Sequence, residues 1–136
     1  MSTAPQIRAF DHLVLTVRDI AATCQFYQQV LGMQVQQFED GRTALHFGSA
    51  KINLHQAGHE IEPNAQHPLP GSADVCLVTT SPMHAVIAHL EACAVAIVLG
   101  PVVRTGAQGM MISVYLRDPD QNLIELASYD DYHAAS

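Results

Sequence analysis

Short apolar runs of two different periods alternate along the chain, and the order of alternation occurs twice. Leu13, Leu15 and Val17 alternate with His12, Val14 and Thr16, the period-2 pattern of a strand over about 10–17. Asp19 then stands as a helix N-cap ahead of Ile20, Cys24, Tyr27 and Leu31 at helical spacing, and Gly32 closes that helix. Strands are expected over 33–39, 43–47 and 51–56, broken at Asp40-Gly41 and Gly48-Ser49; the Asp-Gly pair is the stronger hairpin signal. Residues 57–71 hold three prolines, two glycines and two histidines without apolar periodicity, and read as a connecting loop. The plan then restarts. A strand over 73–79 precedes Ser81-Pro82, which reads as an N-cap with proline at the first helical position, and Val86, Leu90 and Cys93 supply the helix stripe. Residues 96–99 read as a strand, 100–109 as a loop, and 110–117 and 123–128 as the last two strands.

Strand-helix-strand-strand-strand therefore occurs twice, as an α+β chain with modules over about 8–56 and 72–129 inside one domain at 8–129. Aligning Asp19 with Ser81 gives an offset of 62 and sets His12 opposite Asp74. Aligning Ile52-Asn53-Leu54 with Ile124-Glu125-Leu126 gives 72, the difference matching a longer loop in the second half. Polar groups thus recur in the first and last strands of each module.

Glu125 is the sharpest chemical signal. It stands alone among Leu123, Ile124 and Leu126, and a buried lone carboxylate is costly unless it is paired or bound to a metal. His12, opening an equally apolar strand far upstream, is the natural partner. Each has a plainer reading: a histidine at a strand edge can simply be hydrogen-bonded, and Asp74 can cap a turn after Gly71-Ser72. Arg104, one of only six Lys and Arg, either grips an anionic group or is an exposed loop charge. Ser113 and Tyr115 alternate with Ile112 and Val114, so one of those faces should line a site. Phe47 and Met110 could wall it. His46, His59, His67, His84, His89 and His133 default to solvent.

The net charge of −7 argues against a nucleic-acid partner and against a strongly anionic substrate unless a metal supplies charge. The apolar runs are too short to span a membrane, and residues 1–8 carry no signal-peptide core, so a cytoplasmic protein is expected. Cys24, Cys76 and Cys93 lack metal-ligand spacing and read as buried apolar filler. Few charges beside 49% hydrophobic residues suggest that another subunit covers part of the surface.

Asp11-His12, Phe26-Tyr27 with Val30-Leu31-Gly32, and Asp118-Pro119-Asp120 leading into Leu123-Ile124-Glu125-Leu126 occur in this order over about 8–129. In these features the chain resembles the vicinal oxygen chelate superfamily, the glyoxalase/bleomycin-resistance fold. A closer resemblance is to glyoxalase domain-containing protein 5 and bacterial lactoylglutathione-lyase-like proteins. It is carried by Lys51-Ile52-Asn53-Leu54-His55, by residues 70–77 and by residues 100–107. The resemblance implies paired βαβββ modules forming a cup-shaped mixed sheet around a divalent metal (Ni, Zn, Mn or Fe). Ligands would come from positions 12, 53, 74 and 125. Glyoxalase I would have His, Glu, His and Glu there; this chain has Asn53 and Asp74, which argues against glyoxalase I activity itself. His55 faces the same side as Asn53, so His12, His55, Asp74 and Glu125 would restore two imidazoles and two carboxylates.

By the same resemblance Glu125 and Asp74 are the candidate catalytic groups; Arg104, Tyr115 and Ser113, singled out above from the residues themselves, are the candidate substrate contacts. The implied partners are a small molecule and a second copy of the chain sharing its sites. The implied function is lyase or isomerase chemistry on a substrate chelated through vicinal oxygens. The alternative is a metal-free ligand-sequestering protein of bleomycin-resistance type.

Overall fold

Two four-stranded sheets repeat one register. The computed structural model describes residues 3–135; Met1, Ser2 (the start of the N-terminal stretch considered above) and Ser136 lie outside the described residues. The first module runs β1 (His12–Val17), α1 (Ile20–Gln29), β2 (Gln34–Phe38), β3 (Arg42–Phe47) and β4 (Ala50–Gln56), with sheet order β1-β4-β3-β2. The second runs β5 (Asp74–Val78), α2 (Met83–Ala92), β6 (Leu99–Gly106), β7 (Gly109–Arg117) and β8 (Leu123–Ser128), with order β5-β8-β7-β6. A terminal helix, α3 (Tyr129–Ala135), follows. The chain has the βαβββ fold that the repeated pattern and the resemblance implied.

In each sheet the first strand pairs in parallel with the last. His12 lies opposite Lys51 and Val14 opposite Asn53 in the first sheet; Asp74 lies opposite Leu123 and Cys76 opposite Glu125 in the second. His12 and Asn53 are therefore related by the same diagonal step as Asp74 and Glu125. Side chains alternate across a strand, so each sheet has one apolar face and one polar face. The apolar faces carry Leu15, Val17, Ile52 and Leu54 in one sheet and Val114, Leu116, Ile124 and Leu126 in the other. Tyr27 and Val30 of the first module and Met83, Val86 and Leu90 of α2 complete one continuous core with them. Each large side chain buried there contributes about 1.5–3 kcal/mol. The helices cover the apolar faces and leave the polar faces open.

Asp19 caps α1 as expected, accepting bonds from the Ala21 and Ala22 N–H groups at 2.9 and 3.3 Å. Gly32 turns the chain after it at a φ of +67°, where a Cβ would be strained. The second helix departs from expectation: Pro82, not Ser81, holds the cap position and makes no side-chain bond. The Met83 N–H instead donates to the Asp131 carboxylate of α3, an element the sequence pattern did not suggest. His89 is exposed, as its solvent default implied, but it also bridges the two modules. Its Nε2 donates toward the Val30 and Gln29 carbonyls at 3.0 and 3.2 Å, satisfying the C-terminal end of α1 and tying one module to the other.

The largest correction concerns 96–109. The expected short strand at 96–99 is replaced by β6 at Leu99–Gly106, and most of the expected loop is strand. Glycine and proline suggested a loop because neither suits a strand interior. β6 is an edge strand, however, and a register shift between Leu99 and Val102 absorbs Gly100-Pro101. Arg104 thus sits on a strand. The β2–β3 connection is also wider than a two-residue Asp-Gly turn, since Glu39, Asp40 and Gly41 all have positive φ. Among the described residues no helix is long and apolar enough to cross a membrane.

Candidate functional site

On the open face of the first sheet stand His12, Val14 and Thr16 from β1, with Lys51, Asn53 and His55 from β4. His12 is partly open, its side chain 43% exposed, and its Nδ1 lies 2.7 Å from Asp11 Oδ1. Asp11 thereby fixes the ring and leaves Nε2 free, the arrangement in which a carboxylate aims an imidazole at a ligand. The His12 hydrogen bond in turn holds the Asp11 carboxyl below the usual carboxylate range. Asn53 and His55 are 5% and 4% exposed. The Asn53 Oδ1 and both ring nitrogens of His55 have no hydrogen-bond partner. Burial, reinforced by the Arg42 charge and opposed by Glu60, lowers the His55 pKa and favours its neutral ring. A cleft of about 510 Å³ opens beside Val14, Thr16 and His55, roofed by Pro63, Asn64 and His67.

The open face of the second sheet carries the acid chemistry. Glu125 is flanked on one side by Cys76 and on the other by Tyr115. Its Oε2 is buried without a partner, and so is the Oγ of fully buried Ser113. Arg104 Nε donates to the Tyr115 hydroxyl at 2.9 Å, and its guanidinium carbon lies 5.5 Å from that ring's centroid. The two side chains hold each other, so Arg104 is not the free loop cation of the plainer reading. Asp74 is exposed at the start of β5, opposite Leu123 rather than Glu125.

Cys76 is exposed and is not core filler; it was missed because only the parallel register shows that it faces Glu125. Desolvation, then the Glu125 charge and hydrogen bond, push its thiol up to about 11. The thiol stays protonated and donates to the carboxylate. In chelator-treated protein with Cys24 and Cys93 replaced by serine, alkylation of Cys76 by iodoacetamide should therefore stay slow at pH 8–9 and accelerate only toward pH 11. Glu125→Gln removes part of the upward push, so the same rise should come at lower pH. A thiol that reacts like an ordinary cysteine in both proteins would contradict this assignment.

Strands β1 and β5 border a shared cleft near the His12 end of β1. A cleft of about 210 Å³ there is lined by His12 and Leu13 together with Val75, Cys76 and Leu77. Phe47 also lines it, while Met110 accepts a contact from Thr105 Oγ1 at 3.5 Å. Among the described residues, however, no three His, Cys, Asp or Glu side chains gather closely enough to hold a metal ion. His12 and His55 share one open face and Asp74 and Glu125 the other; a single chain does not assemble them into one cluster.

A fold of two βαβββ modules, with unsatisfied polar groups on matching strands, defines a class. The chain belongs to the Glyoxalase/Bleomycin resistance protein/Dioxygenase superfamily, whose family model matches residues 9–126. It is 51% identical over 123 residues to virulence protein STM3117 of Salmonella typhimurium, spanning 90% of this chain and 85% of that protein. It is 53% identical over 125 residues to the glyoxalase domain-containing protein RDO1 of Mycosarcoma maydis, spanning 92% of this chain and 70% of that one. Among solved structures, the integron cassette protein VCH_CASS1 from the mobile metagenome of V. cholerae superposes with a TM-score of 0.91 at 52% identity. That match covers 93% of this chain and 98% of the other.

Proposed function

We propose that the protein is a divalent-metal-dependent enzyme of lyase or isomerase type that acts on small molecules offering two adjacent oxygens. Each site would be assembled from the first sheet of one copy and the second sheet of another, in a cytoplasmic homodimer without nucleic-acid or membrane partners. The observation that carries this reading is the set of orphaned buried atoms among the described residues: Asn53 Oδ1, both His55 nitrogens, Ser113 Oγ and Glu125 Oε2. An unmet buried polar group costs about 1–3 kcal/mol, so five on two open faces call for something that satisfies them. The split of the ligands between the faces favours a second copy as part of the answer.

His12 would hold the metal from one face and Asp74 and Glu125 from the other, while His55, level with Thr16 and four residues along the sheet from His12, lines a different cleft. The ion would supply Lewis-acid polarisation of the substrate oxygens. The chain's own groups supply the rest. Asp11 orients His12. Glu125, desolvated at one oxygen and held by the Cys76 thiol, is the group placed to take a proton from the substrate and return it. Tyr115, braced by Arg104, and Ser113 flank that carboxylate and would fix the substrate's position. Asn53 cannot serve as a second metal-bound carboxylate, which separates this chemistry from that of glyoxalase I.

The dispersal of donors within one chain also favours a second reading, a metal-free module that sequesters a ligand. Protein purified without chelator and supplied with Ni, Zn, Mn or Fe distinguishes them. Metal analysis with sedimentation should give about one ion per chain in a dimer and none in protein dissociated to monomers. Metal retained by monomers would overturn the shared site. Protein that takes up none of the four ions would overturn the enzyme reading and leave sequestration.

A further inference from the structure

Two of the six cationic side chains of this acidic chain converge on one aromatic ring. Phe38 lies opposite Arg42 across β2 and β3, and Lys51 stands on the same open face of β4. Lys51 Nζ is 3.9 Å and Arg42 Cζ 4.8 Å from the Phe38 ring centroid. Each contact returns about 0.5–1 kcal/mol at an exposed site, and the repulsion between the two cations offsets part of that. The opposing carboxylates sit in positions open to water or are otherwise engaged. Glu39 Oε2 is 3.5 Å from Arg42 Nη1 but 74% exposed. Asp11 is engaged by His12, and Glu60 by the Gly58 N–H.

Between these cations on the same face lies Asn53, directly opposite Ala44. Arg42 is one residue beyond the Thr43–Leu54 pair, which sets it beside His55, and its charge acts on that ring. Asn53 and His55 are more than nine-tenths buried with unpartnered polar atoms. Two kinds of hydrogen-bonding need thus coincide. Arg42, Lys51 and an imidazole N–H call for anionic oxygens, whereas Asn53 Oδ1 and the other His55 nitrogen call for a donor. A plain inorganic anion answers only the first.

We propose that this cluster recognises a hydroxycarboxylate: Arg42 and Lys51 take the carboxylate, and Asn53 and His55 engage the hydroxyl beside it. This deepens the proposed function by naming the substrate class, and rests on it for the placing of that group near the reacting oxygens. Recognition itself requires no metal.

The test is an NMR titration of chelator-treated, full-length protein, following the His55 ring and Asn53 amide signals. The probes are glycolate, acetate and ethylene glycol. Glycolate should shift both signals saturably, acetate should bind at least about tenfold more weakly, a difference of about 1.4 kcal/mol, and ethylene glycol should leave them unmoved. Arg42→Gln and Lys51→Gln should each weaken glycolate about tenfold while the melting temperature falls by at most about a few °C. Asn53→Leu should reduce glycolate to the level of acetate while acetate binding is retained. The exposed Arg8→Gln control should bind as the parent does. Equal glycolate binding by the two charge variants, or equal shifts from glycolate and ethylene glycol, would overturn the inference. If metal binds in stoichiometric amount and glycolate fails, this inference falls alone. If glycolate binds and no metal does, the metal-enzyme reading falls alone.

Discussion

Glu125→Ala is expected to empty the proposed metal site while leaving the fold at least as stable as before. The carboxylate sits on a strand whose neighbours Ile124 and Leu126 point into the core, while its own side chain faces the open side with Oε2 buried and unpaired. That oxygen contributes desolvation cost and no hydrogen bond in return, so its removal relieves an unfavourable group. Trading a site residue for stability in this way is the ordinary bargain of functional positions. Loss of a direct ligand should lower metal affinity by at least the roughly 10–100-fold seen when outer-sphere partners of metal ligands are removed. His12→Ala should match it, and Asp11→Ala should fall between these variants and the parent, because Asp11 only aims the His12 ring. Metal content after dialysis, read beside thermal melts, checks this. A Glu125→Ala protein that keeps the parent's metal content would remove Glu125 from the site.

Asp118→Ala should have the opposite profile, with a large loss of stability and little direct effect on the site. The Asp118 carboxylate is 2% exposed. It accepts the Tyr27 hydroxyl at 2.6 Å, the Asp120 and Asn122 N–H groups at 2.9 and 3.0 Å, and the Asn122 side-chain amide at 2.8 Å. The neighbouring Asp120 carboxylate receives the Arg18 N–H at 3.1 Å. The acidic turn before Glu125 is therefore a clasp onto the first module, outside the proposed metal site. Removing Asp118 leaves several buried donors without an acceptor. The cost should reach about 3–5 kcal/mol, as for breaking other buried charged networks, and lower the melting temperature by on the order of 10 °C. Asp118→Asn, which keeps one acceptor, should lose less. A melting temperature unchanged in Asp118→Ala would show that water replaces the carboxylate.

Periodicity made most of the fold legible, because β1, α1, β4, β5 and β8 each bury one face and therefore carry a regular apolar pattern. β6 escaped because its residues Gly100 and Pro101 are permitted by an edge position, and edge position is a property of the sheet rather than of the segment. The cap of α2 escaped because its acceptor, Asp131, is 48 residues away. The site divides the same way. Glu125 and His12 stood out as lone polar groups in apolar strands, and His55 was reached through its strand face. Cys76, Phe38, Arg42 and Lys51 carried no local mark; their meeting depends on strand register across the sheet.

The bulge in β6 has a consequence for how the protein can associate. An unpaired edge invites foreign strands to extend a sheet into fibrous aggregates. At this edge Pro101 offers no N–H, and the shifted register between Leu99 and Val102 interrupts the row of groups that an incoming strand would have to match. Sheet growth is hindered at that end of the strand. Contacts there fall more readily to side chains on the faces, and the open face beside β6 is where Arg104, Tyr115 and Glu125 stand.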